Sequence, residues 1–164
     1  MSSHVPAAAP TATDPPVDPR GVRFAAALTT VVLAVVLLTG SGWLLAAQAA
    51  VFALGAFAGP RFAPYAVLFR MLVAPRLGPS ARREPAAPVR FSQAVGLGFA
   101  LVGTVGYLAG LPTLGVVATA LALAAAFLNA AFGFCLGCEL HTLLLRLTHR
   151  PSNQSSRDRQ GATA

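Results

Sequence analysis

The sequence contains no lysine and few charges of any kind. All twelve basic residues are arginine, five residues are acidic, and charged residues make up 10% of the 164. Hydrophobic residues account for 55%, and the mean hydropathy of +0.67 excludes an ordinary soluble domain. The net charge of +7 does not indicate nucleic-acid binding, because the arginines stand between apolar runs rather than on a basic face with aromatics. Composition therefore predicts a membrane protein whose partners include lipid and exclude nucleic acid.

Cysteine is almost absent as well. Two cysteines are too few for the disulfide framework of a small secreted domain. Both stand in the stretch "FCLGCELH", residues 134–141, as Cys135 and Cys138, together with Glu139 and His141. Their position therefore has to decide whether these thiols are reactive, metal-ligating or merely packed.

Four long apolar runs organise the chain. Residues 1–19 and 149–164 are rich in small and polar residues or proline, and are predicted to be disordered cytoplasmic tails around a transmembrane domain at 20–148. A helix needs about 20 residues to cross a bilayer, and each run approaches that length. The predicted spans are 24–39, 43–59, 91–111 and 113–134.

The arginines between these runs predict an orientation. The short connections at 40–42 and 110–115 carry no charge, whereas the segment 60–90 carries six arginines and others flank the first and last spans. By the positive-inside rule, both termini and the central loop are cytoplasmic. The predicted fold is an all-α membrane protein with four transmembrane helices arranged as two hairpins. The stretch Ala63–Gly78 predicts a short interfacial helix in the central cytoplasmic loop.

Two further patterns concern assembly. The segments "RGVRF" from Arg20 and "APVRF" from Ala87 both place Arg-Phe before a span, which suggests an internal repeat of hairpins. Small residues four apart, such as Gly106 and Gly110, favour close helix packing in a compact bundle or a homo-oligomer. We also expect Asn129 to lie on a different face from the cysteines and to hydrogen-bond across the bundle, with Gln48 as a candidate partner.

The depth of the cysteines follows from the register of the fourth span. A span descending from about Leu114 reaches the inner interface near residue 134, which puts both thiols at the cytoplasmic boundary. A register anchored by Arg146 would bury them with Glu139 in hydrocarbon, at high cost. If Gly133 or Gly137 breaks the helix, Cys135 lies near a new helix N-terminus, where a thiol pKa falls. The sequence leaves the site of the break open.

Three chemical roles fit the cysteines. As a redox-active pair, Cys135 and Cys138 would exchange a disulfide or relay sulfur, with Glu139 modulating a thiol pKa and no cofactor required. As a metal site, they would ligate zinc or iron with Glu139 or His141, completed by another chain or loop. The third role is packing alone. At the level of the protein, a transporter subunit for small sulfur species and a structural or assembly subunit remain alternatives.

Three stretches carry a resemblance to a known family. "VDPRGVRFAA", "APVRFSQAVGL" and "LNAAFGFCLGCEL" are similar to segments of small integral membrane proteins described as domain of unknown function 4395, over about Val17 to Arg146. The resemblance implies a multi-pass protein of the bacterial plasma membrane, frequent in actinobacteria. It also implies thioredoxin-like or rhodanese-type proteins as partners in sulfur metabolism. An aromatic residue is usual in the family where His141 stands, so the resemblance does not extend a ligand or base role to this histidine.

Overall fold

The regular structure is helical throughout the part of the chain that the structure describes. The computed structural model describes residues 15–78, 80 and 83–148, and the predicted all-helical architecture is confirmed there. An isolated antiparallel bridge joins Val17 to Glu84. The α-helices are α1 (Pro19–Thr39), α2 (Gly42–Ala53), α3 (Pro64–Leu72), α4 (Ala74–Leu77), α5 (Ala86–Leu108), α6 (Pro112–Phe132) and α7 (Leu136–Thr148).

Three of the described helices, α1, α5 and α6, are long and apolar enough to cross a membrane, judged by length and composition. The fourth apolar helix is shorter: α2 continues into a π-helical turn, so that the unit spans Gly42–Ala58. Helices α1 and α5 begin several residues before the predicted spans. Local capping explains α1, because the Asp18 carboxylate accepts a 2.9 Å hydrogen bond from the Arg20 backbone N–H and Pro19 occupies the first helical position.

Small residues set the closest helix contacts. α1 packs on α6, α2 on α5, and α5 on α6. A Cβ added to Gly106 would lie 2.6 Å from the backbone nitrogen of Gly115, so α5 and α6 meet backbone to backbone near their connecting turn. The apolar core between the helices comprises Leu33, Val36, Leu45, Ala49, Phe52, Ala100 and Ala122.

The two Arg-Phe pairs occupy corresponding places in the bundle. Arg23 of α1 donates to the carbonyl oxygens of Ala130 and Ala131 at 3.3 Å, at the C-terminus of α6. Arg90 of α5 donates at 3.0 Å to the carbonyl oxygens of residues 56 and 57, at the end of the π turn that follows α2. Each guanidinium thus donates to carbonyls that have no partner within their own helix. Its positive charge also interacts favourably with the negative end of that helix's dipole.

The phenylalanines of the two Arg-Phe pairs contact helices α3 and α7. The Phe24 ring lies 5.7 Å from that of Phe69 in α3, and the Phe91 ring lies 5.4 Å from that of His141 in α7. Phe69 is buried, whereas Met71, two residues later in α3, is 70% exposed. The predicted helix within 63–78 therefore exists and has one face on the bundle and one apolar face uncovered.

Candidate functional site

The last long helix ends at Gly133, and this settles the alternative that the sequence left open. Gly133 adopts a left-handed conformation with φ of 70°, and its N–H donates to the Asn129 carbonyl at 3.0 Å. Such a C-cap favours glycine because a side chain is strained there. Helix α7 starts three residues later, and its first backbone hydrogen bond runs from the Glu139 N–H to the Cys135 carbonyl at 3.0 Å. Cys135 is consequently the N-cap residue of α7.

Gly137, the other candidate for the break, lies inside α7 and has a packing role. A Cβ built on it would lie 2.5 Å from Cβ and 2.6 Å from Cα of Ser92. The N-terminal turn of α7 therefore sits directly against the backbone of α5. This contact brings the cysteines beside the polar residues that follow the second Arg-Phe pair.

The Cys135 sulfur accepts hydrogen bonds from several groups at once. The Cys138 side chain is the principal donor, and the backbone N–H groups of Cys138 and Gly137 also point to the sulfur. The Ser92 hydroxyl contributes less, because it also donates to the Val89 carbonyl oxygen, with 2.8 Å between the two oxygens. Together these donors outweigh the opposing effect of burial and lower the pKa of the Cys135 thiol to about 6. Cys135 is therefore mostly a thiolate at neutral pH.

Cys138 has the opposite character. Its hydrogen bond to Cys135 raises the pKa of its thiol, burial raises it further, and the charges of Cys135, Glu84 and Glu139 act in the same direction. Neither cysteine forms a disulfide, and both are half-buried. The pair therefore holds a single proton, which lies on Cys138 and is donated in a hydrogen bond to the Cys135 sulfur.

Glu139 and His141 diverge from the thiols. The Glu139 side chain is exposed and acts on Cys138 through its charge. The His141 ring packs against Phe91 at 5.4 Å. Within residues 15–78, 80 and 83–148, no three His, Cys, Asp or Glu side chains gather in a way that could hold a metal ion. A zinc or iron site at Cys135, Cys138, Glu139 and His141 stays a prediction that needs a ligand from elsewhere.

A cavity of about 950 Å³ opens beside Cys135. Its wall reaches Thr29 on α1, Phe99 on α5 and Leu121 on α6, which is about halfway along each helix. Most of this wall is apolar. Its charged members come from outside the long helices, at the end where Cys135 lies: Asp18, Arg61, Arg70 and Arg83. The cavity therefore has a polar end at the thiols and an apolar interior.

Asn129 and Cys135 both line this cavity. The expectation that they lie on different faces assumed one continuous helix and does not apply, because α6 ends at Gly133 between them. The expected bond from Asn129 to Gln48 is wrong, since the Gln48 oxygen accepts a 2.7 Å hydrogen bond from the Tyr65 hydroxyl. The Gln48 amide nitrogen is buried and has no partner among the described residues.

Sequence reasoning missed three contributors to the site, namely Ser92, Gln93 and Glu84. Ser92 and Gln93 line the cavity, and Glu84 acts on Cys138. One signal was available: "RFSQ" at Arg90 places two polar residues where the first Arg-Phe pair is followed by two alanines. No local pattern indicated Glu84, which is brought to the site by its backbone bridge to Val17.

The apolar helices and their uncovered apolar side chains are those of a membrane protein that is helical through its described part. Its two free thiols lie where α7 begins, Cys135 just before the helix and Cys138 in its first turn. The chain belongs to the family described as Domain of unknown function (DUF4395), whose profile matches residues 17–146. This match confirms the resemblance noted from the sequence. Comparison with curated proteins and with solved structures gave no match to the chain.

Proposed function

We propose that this protein is a multi-pass protein of the bacterial plasma membrane that exchanges disulfide or sulfur with a cytoplasmic partner through Cys135 and Cys138. In this proposal α1, α2, α5 and α6 cross the bilayer as two hairpins, with both termini cytoplasmic. Helices α3 and α7 then lie at the inner interface. The arginine-rich central segment and the charged lining of the cavity at the thiol end support this orientation.

The observation that carries the proposal is that the two thiols differ: the pKa of Cys135 is lowered and that of Cys138 is raised. Cys135 accepts hydrogen bonds from the first turn of α7 and from Cys138, which stabilises a nucleophilic thiolate. Cys138 keeps its proton until a reaction removes the negative charge beside it. An attacking thiolate and a second thiol three residues later are what stepwise exchange requires.

The exchange follows from these roles. The Cys135 thiolate attacks one sulfur of a partner disulfide, forms a mixed disulfide and releases the other partner sulfur as a thiolate. Cys138 then loses its proton and attacks the Cys135 sulfur, which forms the Cys135–Cys138 disulfide and releases the second partner thiolate. The partner gains the two electrons that the pair loses. With a partner persulfide, Cys135 takes the terminal sulfur and the partner leaves as a thiolate.

The chemistry of this step points to a thioredoxin-like or rhodanese-type partner, because such proteins present a reactive disulfide or persulfide at their surface. The partially exposed Cys135 and the exposed Glu139 are accessible for such a contact. No cofactor takes part in the exchange.

The extent of the cavity weighs against a transporter of small sulfur species. The cavity wall ends about halfway along α1, α5 and α6, and among the described residues it includes none from the turns at 40–41 and 109–111. A structural or assembly role does not require the pKa values of the two thiols to differ. Replacing both cysteines by alanine with no effect beyond stability would favour that role.

Trapping tests the proposal. Full-length protein carrying Cys138→Ser, embedded in nanodiscs, should form a stable mixed disulfide with a thioredoxin-like protein whose resolving cysteine is removed and whose remaining cysteine is held as a mixed disulfide with an aromatic thiol. The Cys135 thiolate displaces the aromatic thiolate, whose release is measured by absorbance. Cys135→Ser serves as the matched control and should form none. Equal adduct formation by both variants, or by neither under oxidising conditions, would contradict the assigned roles.

A further inference from the structure

The cavity beside Cys135 has the shape of a site for an amphiphile. It extends from Asp18 to Thr29 along α1, a rise of about 16 Å at 1.5 Å per residue. Its volume of about 950 Å³ lies at the upper end of the range of small-molecule sites, about 300 to 1,000 Å³. The polar end holds a reactive sulfur and the inner end lies among apolar helices. An occupant with a polar, reactive head and an apolar tail matches both ends.

Two carboxamides belong to the wall of this cavity. Asn129 and Gln93 line the cavity, and neither side chain forms a hydrogen bond with a residue in the described part of the chain. The Gln93 carboxamide packs over Gly55, where an added Cβ would lie 3.0 Å from it. Carboxamide N–H groups are neutral donors suited to carbonyl oxygens. The cavity that Cys135 lines therefore also offers donors to a head group that carries carbonyls.

We propose that the cavity binds a membrane quinone, with its ring beside Cys135 and its tail between α1, α5 and α6, and that the quinone oxidises the cysteine pair. This inference rests on the redox role proposed above and names the electron acceptor of the same site. A thiol pair whose reduced form is stabilised as a thiolate is a comparatively strong oxidant and requires an acceptor to regenerate its disulfide.

The reaction balances with water as the only other reactant. Cys135 and Cys138 form a sulfur–sulfur bond, the S–H bond of Cys138 breaks, and the pair gives up two electrons and one proton. The quinone takes the two electrons and two protons, one from Cys138 and one from water, and becomes the quinol. The new disulfide then oxidises a partner dithiol by the reverse of the exchange described above, so that electrons pass from the partner through the pair to the quinone and the pair returns to its reduced form.

A phospholipid is the competing occupant. Its phosphate would suit Arg61, Arg70 and Arg83, which also line the cavity. A phospholipid cannot accept electrons from a thiol pair, however, and so cannot oxidise Cys135 and Cys138. A cavity that is filled by lipid and does not admit quinone is therefore the outcome that contradicts the proposal.

The test uses pre-reduced full-length protein in nanodiscs, mixed without oxygen with decylubiquinone, whose ring is fully substituted and so resists thiol addition. Quinol is followed by absorbance, and the disulfide by differential alkylation and mass spectrometry. The wild type should form one quinol for each disulfide, and Cys135→Ser should form none. In parallel, exchange with a water-soluble aromatic disulfide is measured on the same samples.

Two adjacent alanines of α6 provide a matched pair. Ala125 lines the cavity, whereas Ala124 is exposed and faces a separate shallow hollow of about 310 Å³. Ala125→Phe should lower the ratio of quinone reduction to disulfide exchange at least about tenfold by filling the site, and Ala124→Phe should leave both rates unchanged. If Ala125→Phe fails to fold, Asn129→Leu, which removes a donor and keeps the branched side-chain shape, should lower the same ratio.

The outcomes separate the two proposals. Disulfide exchange without quinol formation in the wild type would overturn the quinone site and leave the thiol exchange standing. Absence of both reactions would overturn the proposed function itself. Equal loss of quinone reduction in the Ala125→Phe and Ala124→Phe proteins would place the reaction outside this cavity.

Discussion

Replacing Gly137 by alanine should separate α7 from α5. The new Cβ would fall 2.5 Å from Cβ and 2.6 Å from Cα of Ser92, whereas carbon atoms pack at about 3.5 to 4.0 Å. The obstacle includes backbone, so the first turn of α7 has to move by roughly 1 Å or more. Overpacking of this kind costs about 1 to 3 kcal/mol, and the higher helix propensity of alanine offsets up to about 1 kcal/mol of it.

The shift should also reach the thiols, because Ser92 is one of the donors to the Cys135 sulfur. We expect a lower midpoint of thermal unfolding in micelles and a higher pH midpoint for alkylation of Cys135 by iodoacetamide. Gly98→Ala is the control, since no atom lies within 4 Å of its added Cβ, and it should stabilise α5 by up to about 1 kcal/mol. If Gly137→Ala behaves like Gly98→Ala in both assays, the close contact of α7 with α5 is not present.

Three further predictions address the bundle and the resolving thiol. Tyr65→Phe should lower the free energy of unfolding by about 1 to 3 kcal/mol, because it leaves a buried carboxamide oxygen without its donor; Tyr107→Phe should cause no loss in the same denaturation assay, since the Tyr107 hydroxyl is buried without a partner in the described part of the chain. Arg23→Gln should lower the unfolding free energy by about 1 kcal/mol, because it removes two hydrogen bonds to the end of α6. Arg20→Gln loses one long contact of 3.5 Å and should lower the unfolding free energy by less. Equal losses in the two variants would contradict the capping role of Arg23. Glu84→Gln should lower the pKa of the second cysteine thiol by removing a nearby negative charge, and so hasten release of a trapped mixed disulfide in stopped-flow measurements; an unchanged rate would exclude that charge effect.

The sequence predicted the helices well because each carries its own local signal. Long apolar runs marked α1, α5 and α6, and Pro64 at the first position of α3 marked the short helix of the central segment. The start of α1 was missed by several residues although Asp18 and Pro19 are a local cap, because the prediction followed hydropathy and not capping. The π turn at Leu54–Ala58 lacked any comparable signal, since its carbonyls are satisfied by Arg90, a residue distant in the chain.

The candidate site was predicted less completely, for a related reason. Cys135 and Cys138 stood out by their rarity and spacing, but two glycines competed for the helix break. Only the contact of Gly137 with Ser92 distinguishes packing from capping, and this contact joins residues 45 positions apart. The cavity depends in the same way on several helices together. Both Asn129 and Cys135 line it, although helical periodicity through an unbroken helix would have placed them on different faces.

The central claim, that Cys135 is the thiolate and Cys138 its protonated partner, is tested most directly by measuring the alkylation of each thiol separately. Full-length protein in nanodiscs would be treated with limiting iodoacetamide from about pH 5 to about pH 10, and the singly alkylated products assigned to Cys135 or Cys138 by fragmentation in the mass spectrometer. The account predicts that Cys135 reacts with a midpoint near pH 6, while Cys138 remains unreactive well above the usual thiol range. Two thiols that titrate together near the ordinary cysteine value would contradict it.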